Sequence, residues 1–263
     1  VLVSPAETLE SRAASTASGG TALTTTLGLI PLPLGSDYVA LTARNFVGAA
    51  VVRYLLNPWL TILTTRLSLT GKPAALDVSD ELQDGDTTDV VMDAFPTAAN
   101  GGFIYVGAEL PFRGVRVTVG SDPQNTAATI AVKAWDGSAW TTVTPTDGSA
   151  SGGATFAITG NVTWTVPTAW VKASLKTIGD PTQEVGGALY WTRWDFSATT
   201  EASWNVVGMQ PLNRVTTYAE LVEGQAREFS IYNGLRLLSC VEALTDAGTA
   251  NLVVDVDSRK GFE

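Results

Sequence analysis

Two short stretches carry residue types that do chemistry. The first is Val132 to Pro145, VKAWDGSAWTTVTP, where Trp135 and Trp140 flank an Asp136-Gly137-Ser138 turn. Flat indole rings beside carboxylates suit sugar binding; the same rings facing each other across a hairpin suit strand-to-strand packing, the reading favoured here. The second is Asp80 to Val91, DELQDGDTTDVV, which resembles a calcium loop. It fails the EF-hand pattern at Leu82, the third position, and at Val91, where a bidentate Glu is required. A calcium site of another kind remains an alternative.

The rest of the inventory removes whole classes of reaction. The chain has no histidine and one cysteine. That excludes Ser-His-Asp and Cys-His catalysis, imidazole metal sites and an intrachain disulfide. Cys240 sits in the apolar run LRLLSCVEAL and is expected to be a buried small hydrophobe. A glycosidase would need only two carboxylates, and no pair stands out. No Gly-rich phosphate loop follows a strand and opens a helix. The expectation is a protein that is not an enzyme, with no catalytic, cofactor-binding or metal residues and no cofactor.

Composition points the same way. Of 263 residues, 45% are apolar and only 16% charged, below the ~25% usual in globular domains. Such a chain tends to hide surface in itself or against neighbours. Its net charge of −10 argues against a nucleic-acid partner, which needs a concentrated basic face. Residues 13–36 carry no Lys, Arg, Asp or Glu, yet are too rich in Thr, Ser, Gly and Pro to span a membrane. Glu7 and Glu10 stand where a signal peptide carries basic residues, so neither a membrane nor export is expected.

The elements that must position these residues read as strands. Residues 1–36 look like an extended N-terminal arm, with Pro31 and Pro33 favouring extended backbone. Leu29, Ile30, Leu32 and Leu34 are its candidate docking contacts. Residues 37–75 read as a β-rich segment packing on the body, although 38–56 also fits a helix stopped at Pro58; the β-branched content favours strand. Residues 76–211 read as the main sandwich. FRGVRVTVG, TIAVKAW, NVTWTVP and LYWTRWDFSA alternate with period two, and Trp164, Trp191 and Trp194 are expected to be packed within it. Residues 212–263 read as a C-terminal hairpin, RLLSCVEAL pairing with NLVVDV through TDAGTA. TTYAELVEGQAREF is the one place suited to a short helix or turn. Many short strands at short intervals give an all-β, jelly-roll-like sandwich with an extended arm.

Four elements in order, over Gly102 to Trp204, carry a family resemblance: a YVG…PF.G strand pair, the W-D-G-S-A-W hairpin, a G.V.W..P..W strand and a YW.R…SA strand. Together they resemble a β-sandwich pattern of tailed-bacteriophage virion proteins. The resemblance implies a structural part of the particle, most simply a capsid decoration (cement) protein whose arm ties neighbours together. It implies the major capsid protein or other virion proteins as partners, a homo-oligomer such as a trimer, and a place in the virion after assembly in the host cytoplasm. A neck, tail or fibre subunit, or a carbohydrate-binding module, is the alternative. Trp135 and Trp140 at the hairpin tip are the second candidate contact.

Overall fold

The computed structural model describes residues 20–32, 38–49, 51–66, 74–83, 90–97, 101–178, 188–214, 217–230 and 238–257. In chain order the strands are β1 (Thr21–Leu23), β2 (Gly28–Pro31), β3 (Tyr38–Val47), β4 (Val52–Pro58), β5 (Leu60–Arg66), β6 (Ala74–Asp77) and β7 (Val90–Asp93). They continue with β8 (Phe103–Ala108), β9 (Phe112–Val119), β10 (Ile130–Trp135), β11 (Trp140–Val143), β12 (Thr146–Asp147), β13 (Gly160–Thr163) and β14 (Lys172–Ala173). A single turn of helix, α1 (Leu175–Ile178), precedes β15 (Leu189–Phe196), β16 (Ser203–Asn213), β17 (Ala219–Leu221), β18 (Ala226–Ser230), β19 (Leu238–Thr245) and β20 (Thr249–Asp257). The fold is all-β and built from antiparallel sheets, as the alternation predicts.

The chain forms two compact units, one inserted in the sequence of the other: residues 1–56 with 217–263, and residues 57–216. The first unit has two four-stranded sheets, ordered β1-β20-β3-β18 and β17-β4-β19-β2. Val39, Leu41, Leu252 and Val254 of the first sheet share a core with Val52, Val241 and Ala243 of the second.

The structure refines four expectations. Residues 20–32 are extended, as expected, and of the two docking partners open to the arm, its own body or a neighbour, they take their own body: they form β1 and β2, which pair with β20 and β19. Pro31 is tolerated because β2 is an edge strand. The C-terminal hairpin does not form. The strands β19 and β20 lie in different sheets, so Val241 and Leu252 meet across the core instead of side by side. The segment allowed a short helix or turn holds the turn, at Glu223-Gly224 between β17 and β18, Gly224 having φ +77°. The segment 37–75, read as a β-rich segment packing on the body, divides: β3 belongs to the first unit and β5 to the second.

The second unit holds a six-strand run, β11-β10-β15-β8-β5-β6, with β14 added beside β15, and a sheet ordered β12-β13-β9-β16-β7. The chain crosses repeatedly from one to the other: β8 lies in the first, β9 in the second, β10 in the first, β13 in the second. The quoted YVG…PF.G strands are therefore successive without being paired. Inward-facing Ile62, Ile104, Val106, Val132 and Trp194 from one sheet meet Val115, Val117, Val162, Val206 and Met209 from the other.

The interior is organised by aromatic rings. Phe156 lies between Trp204 and Trp194, with ring centroids 5.2 and 6.1 Å away and planes within 16° and 13° of parallel. Trp164 meets Trp194 edge-on at 6.1 Å, and Phe112 meets Trp164 at 5.5 Å. Reaching this slot forces Phe156 into the left-handed region, φ +55°, which a bulky side chain rarely adopts. Hydrogen bonds fix it there. Its N–H donates to Ser149 Oγ, its carbonyl accepts from Gln124 N, and Thr155 N donates to Ala128 O.

Candidate interaction surface

Alternation along β8, β10, β11 and β15 sends every second residue away from that core. The register places Arg193 opposite both Lys133 and Tyr105, and Asp195 opposite Phe103. The hairpin register puts Trp135 opposite Trp140. The outer face of this sheet therefore collects Lys133, Trp135, Trp140, Trp191, Arg193, Asp195, Phe103 and Tyr105.

Asp195 organises the charges. It is 5% exposed and receives Arg193 through two contacts, Nε to Oδ1 at 2.9 Å and Nη2 to Oδ2 at 3.3 Å. Lys133 Nζ reaches Oδ2 at 2.5 Å. The guanidinium lies 4.3 Å from the Phe103 ring centroid and 5.3 Å from that of Trp140, in cation–π range of both. Trp140 also packs on Tyr105 at 6.0 Å. Lys133 and Arg193 thus share the one carboxylate of Asp195, and the ionised Asp136 beside Trp135 offsets the remaining positive charge.

Beside it, α1 and the chain before it cover a small second core of Leu63, Phe103, Tyr105, Leu175, Leu189 and Trp191. Trp191 is fixed at both ends: its Nε1 donates to Ala173 O, and its carbonyl accepts from Trp170 Nε1, each at 2.9 Å. Its ring lies over Gly107, where a Cβ would come within 2.5 Å of ring carbon. Gly107→Ala is expected to cost about 1–3 kcal/mol by overpacking, read as a lower thermal midpoint; an unchanged midpoint would show that Trp191 is free to move.

The hairpin itself is tied by Asp136. Its Oδ1 accepts from Ser138 N, Ser138 Oγ and Ala139 N at 2.8–2.9 Å, and its Oδ2 from Thr141 Oγ1 at 2.7 Å. These bonds, Thr141's foremost, hold the Asp136 carboxyl well below the usual carboxylate range. Trp135 and Trp140 are half-buried and meet edge-to-face, centroids 5.5 Å apart at 68°. They hold the two strands together and do not form one flat platform for a sugar ring. What the patch presents is an edge hairpin with a half-exposed indole and a lysine beside it.

The other expected sites fall elsewhere. Ile30 and Leu32, read as arm contacts, are core residues of the first unit, 7% and 1% exposed. Leu29 lies in β2 opposite Glu242, and Leu34 lies outside the described residues. Cys240 is buried, as expected. Much of the Asp80 to Val91 stretch, residues 84–89, is outside the described residues. Among the described residues no group of three or more His, Cys, Asp or Glu could hold a metal ion. Sequence reading missed Lys133 and Asp195, although their positions two residues from Trp135 and Arg193 put each pair on one face. No family model, no curated protein and no solved structure matches this chain.

Proposed function

We propose that this is a non-enzymatic structural protein of a tailed-phage virion, a capsid decoration protein that associates with the major capsid protein as a homo-oligomer. One observation carries the reading. The four sequence elements of the virion-protein resemblance fall on β8 and β9, the β10–β11 hairpin, β13 and β15, which build both layers of one sandwich. The interior supports it: six of the eight tryptophans are buried, and they serve packing. Low charge suits a subunit set among others, and the hairpin tip with Trp135 and Trp140 is the second candidate contact.

The strands β1 and β2 belong to a core, so the proposed arm is sought in residues 1–19, which lie outside the described residues. The test is sedimentation of purified protein with capsid shells that lack it. Deletion of residues 1–19 is expected to abolish co-sedimentation while leaving the thermal midpoint unchanged. Equal binding by the shortened protein would remove the arm from the proposal, and failure of the full-length protein to bind would remove the capsid. Deletion of 1–36, in contrast, takes away Leu23, Ile30 and Leu32 and is expected to unfold the first unit.

A further inference from the structure

The tetrapeptide Asp-Gly-Ser-Ala occurs twice, at 136–139 and 147–150, and both copies are wired alike. In the second, Asp147 Oδ1 accepts from Ser149 N at 2.9 Å and Ser149 Oγ at 2.6 Å, and Oδ2 accepts from Thr155 Oγ1 at 2.7 Å. Each carboxylate thus has the serine two residues on at one oxygen and a more distant threonine hydroxyl at the other. The distances along the chain differ, five residues to Thr141 and eight to Thr155, so the threonine is supplied by the fold and not by the turn.

Among aspartyl sequences Asp-Gly is the most prone to spontaneous rearrangement, because glycine puts no side chain in the way of its own nitrogen. In that reaction the Gly nitrogen attacks Cγ of the neutral aspartic acid. A C–N bond forms, one carboxyl oxygen leaves as water with the acid proton and the amide proton, and a five-membered succinimide results. Water then adds to either carbonyl, giving back Asp or giving isoaspartate, which reroutes the chain through Cβ and Cγ. No oxidant or co-reactant is needed. The step requires a carboxyl that can be protonated and can rotate toward the nitrogen, and a nitrogen free to approach.

We infer that the two Asp-Gly-Ser-Ala turns are locked against this rearrangement, with the Thr141 and Thr155 hydroxyls as the parts of the lock that the fold contributes; the third Asp-Gly, Asp84-Gly85, lies outside the described residues. At Asp136 all four hydrogen bonds go to the ionised carboxylate, and its depressed pKa keeps the reactive neutral form scarce. The backbone is pinned as well: Asp136 N donates to Ala139 O and Val171 N to Trp135 O. At Asp147 the attacking nitrogen is itself engaged, Gly148 N donating to Asn161 O at 2.8 Å. Ser149 Oγ, besides donating to Asp147, accepts from Phe156 N, which joins this lock to the aromatic stack.

The test is ageing at neutral pH and 37 °C, with isoaspartate counted by enzymatic methylation and located by peptide mapping. The reference is a synthetic Val132–Pro145 peptide, which has the sequence without the fold. Isoaspartate at Asp136 of the intact protein is expected to form at least about tenfold more slowly than in the peptide, the change in neutral acid for one unit of pKa. Thr141→Val is expected to speed the reaction at Asp136 and leave Asp147 unchanged, and Thr155→Val to do the reverse. Thr141 is exposed in an edge strand, so its variant folds. Equal rates in protein and peptide would overturn the inference, as would a Thr141→Val protein that ages at Asp136 no faster than the parent.

Discussion

Phe156→Ala is expected to destabilise the second unit by about 3–5 kcal/mol, the range for emptying an aromatic site in a core. Phe156 is fully buried and is the middle ring of the Trp204–Phe156–Trp194 stack, so its loss leaves two indoles facing a cavity. Stacking adds about 0.5–1.5 kcal/mol per pair beyond area burial. Left-handed backbone costs about 1–2 kcal/mol for a residue with a Cβ, and the alanine variant still bears that cost. Glycine does not. Phe156→Gly is therefore expected to be more stable than Phe156→Ala by about 1 kcal/mol, the reverse of the usual order in regular structure. Chemical denaturation of the three proteins reads both differences. Alanine equal to or better than glycine would mean that the positive φ relaxes once the ring is gone.

Asp195→Ala should have the next largest effect, about 3 kcal/mol, because it removes the carboxylate shared by two largely buried cations. The Arg193 and Lys133 side chains are only 14% and 26% exposed, so water replaces the lost partner poorly. The cost should fall when Lys133→Met is added, since one of the two stranded charges is then gone. Losses that add independently in this double variant would show that Lys133 and Asp195 do not interact in solution.

Neither Phe156 nor Asp195 was legible in the sequence, although much of the fold around them was. Period-two alternation identified β9, β10 and β15 and put Trp194 on the opposite face from Arg193, because the pleat makes facing a local property. The hairpin was legible for the same reason, Asp136-Gly137-Ser138 being a turn signal between two apolar runs. Pairing is not local. Nothing in TDAGTA distinguishes a hairpin from a crossing between layers, since Val241 and Leu252 need an apolar neighbour in either arrangement. Nor does GLIPLPL disclose whether Ile30 and Leu32 meet their own unit or another molecule. The two-unit organisation depends on β3 pairing with β20 across some two hundred residues, beyond the reach of any periodicity. Phe156 was invisible too, as its segment has no regular pattern and its slot is made by rings from β15 and β16. Asp195 was hidden because its partner charges come from its own strand and from β10, and only the register brings Lys133 to it.

The proposal is that the chain decorates a capsid. The measurement that tests this most directly is quantitative mass spectrometry of virions purified from the proposed phage source of the chain, read as its molar ratio to the major shell subunit. A capsid decoration protein gives a ratio near one or a simple fraction of it; a ratio of a few per cent, or absence from the particle, would contradict the assignment.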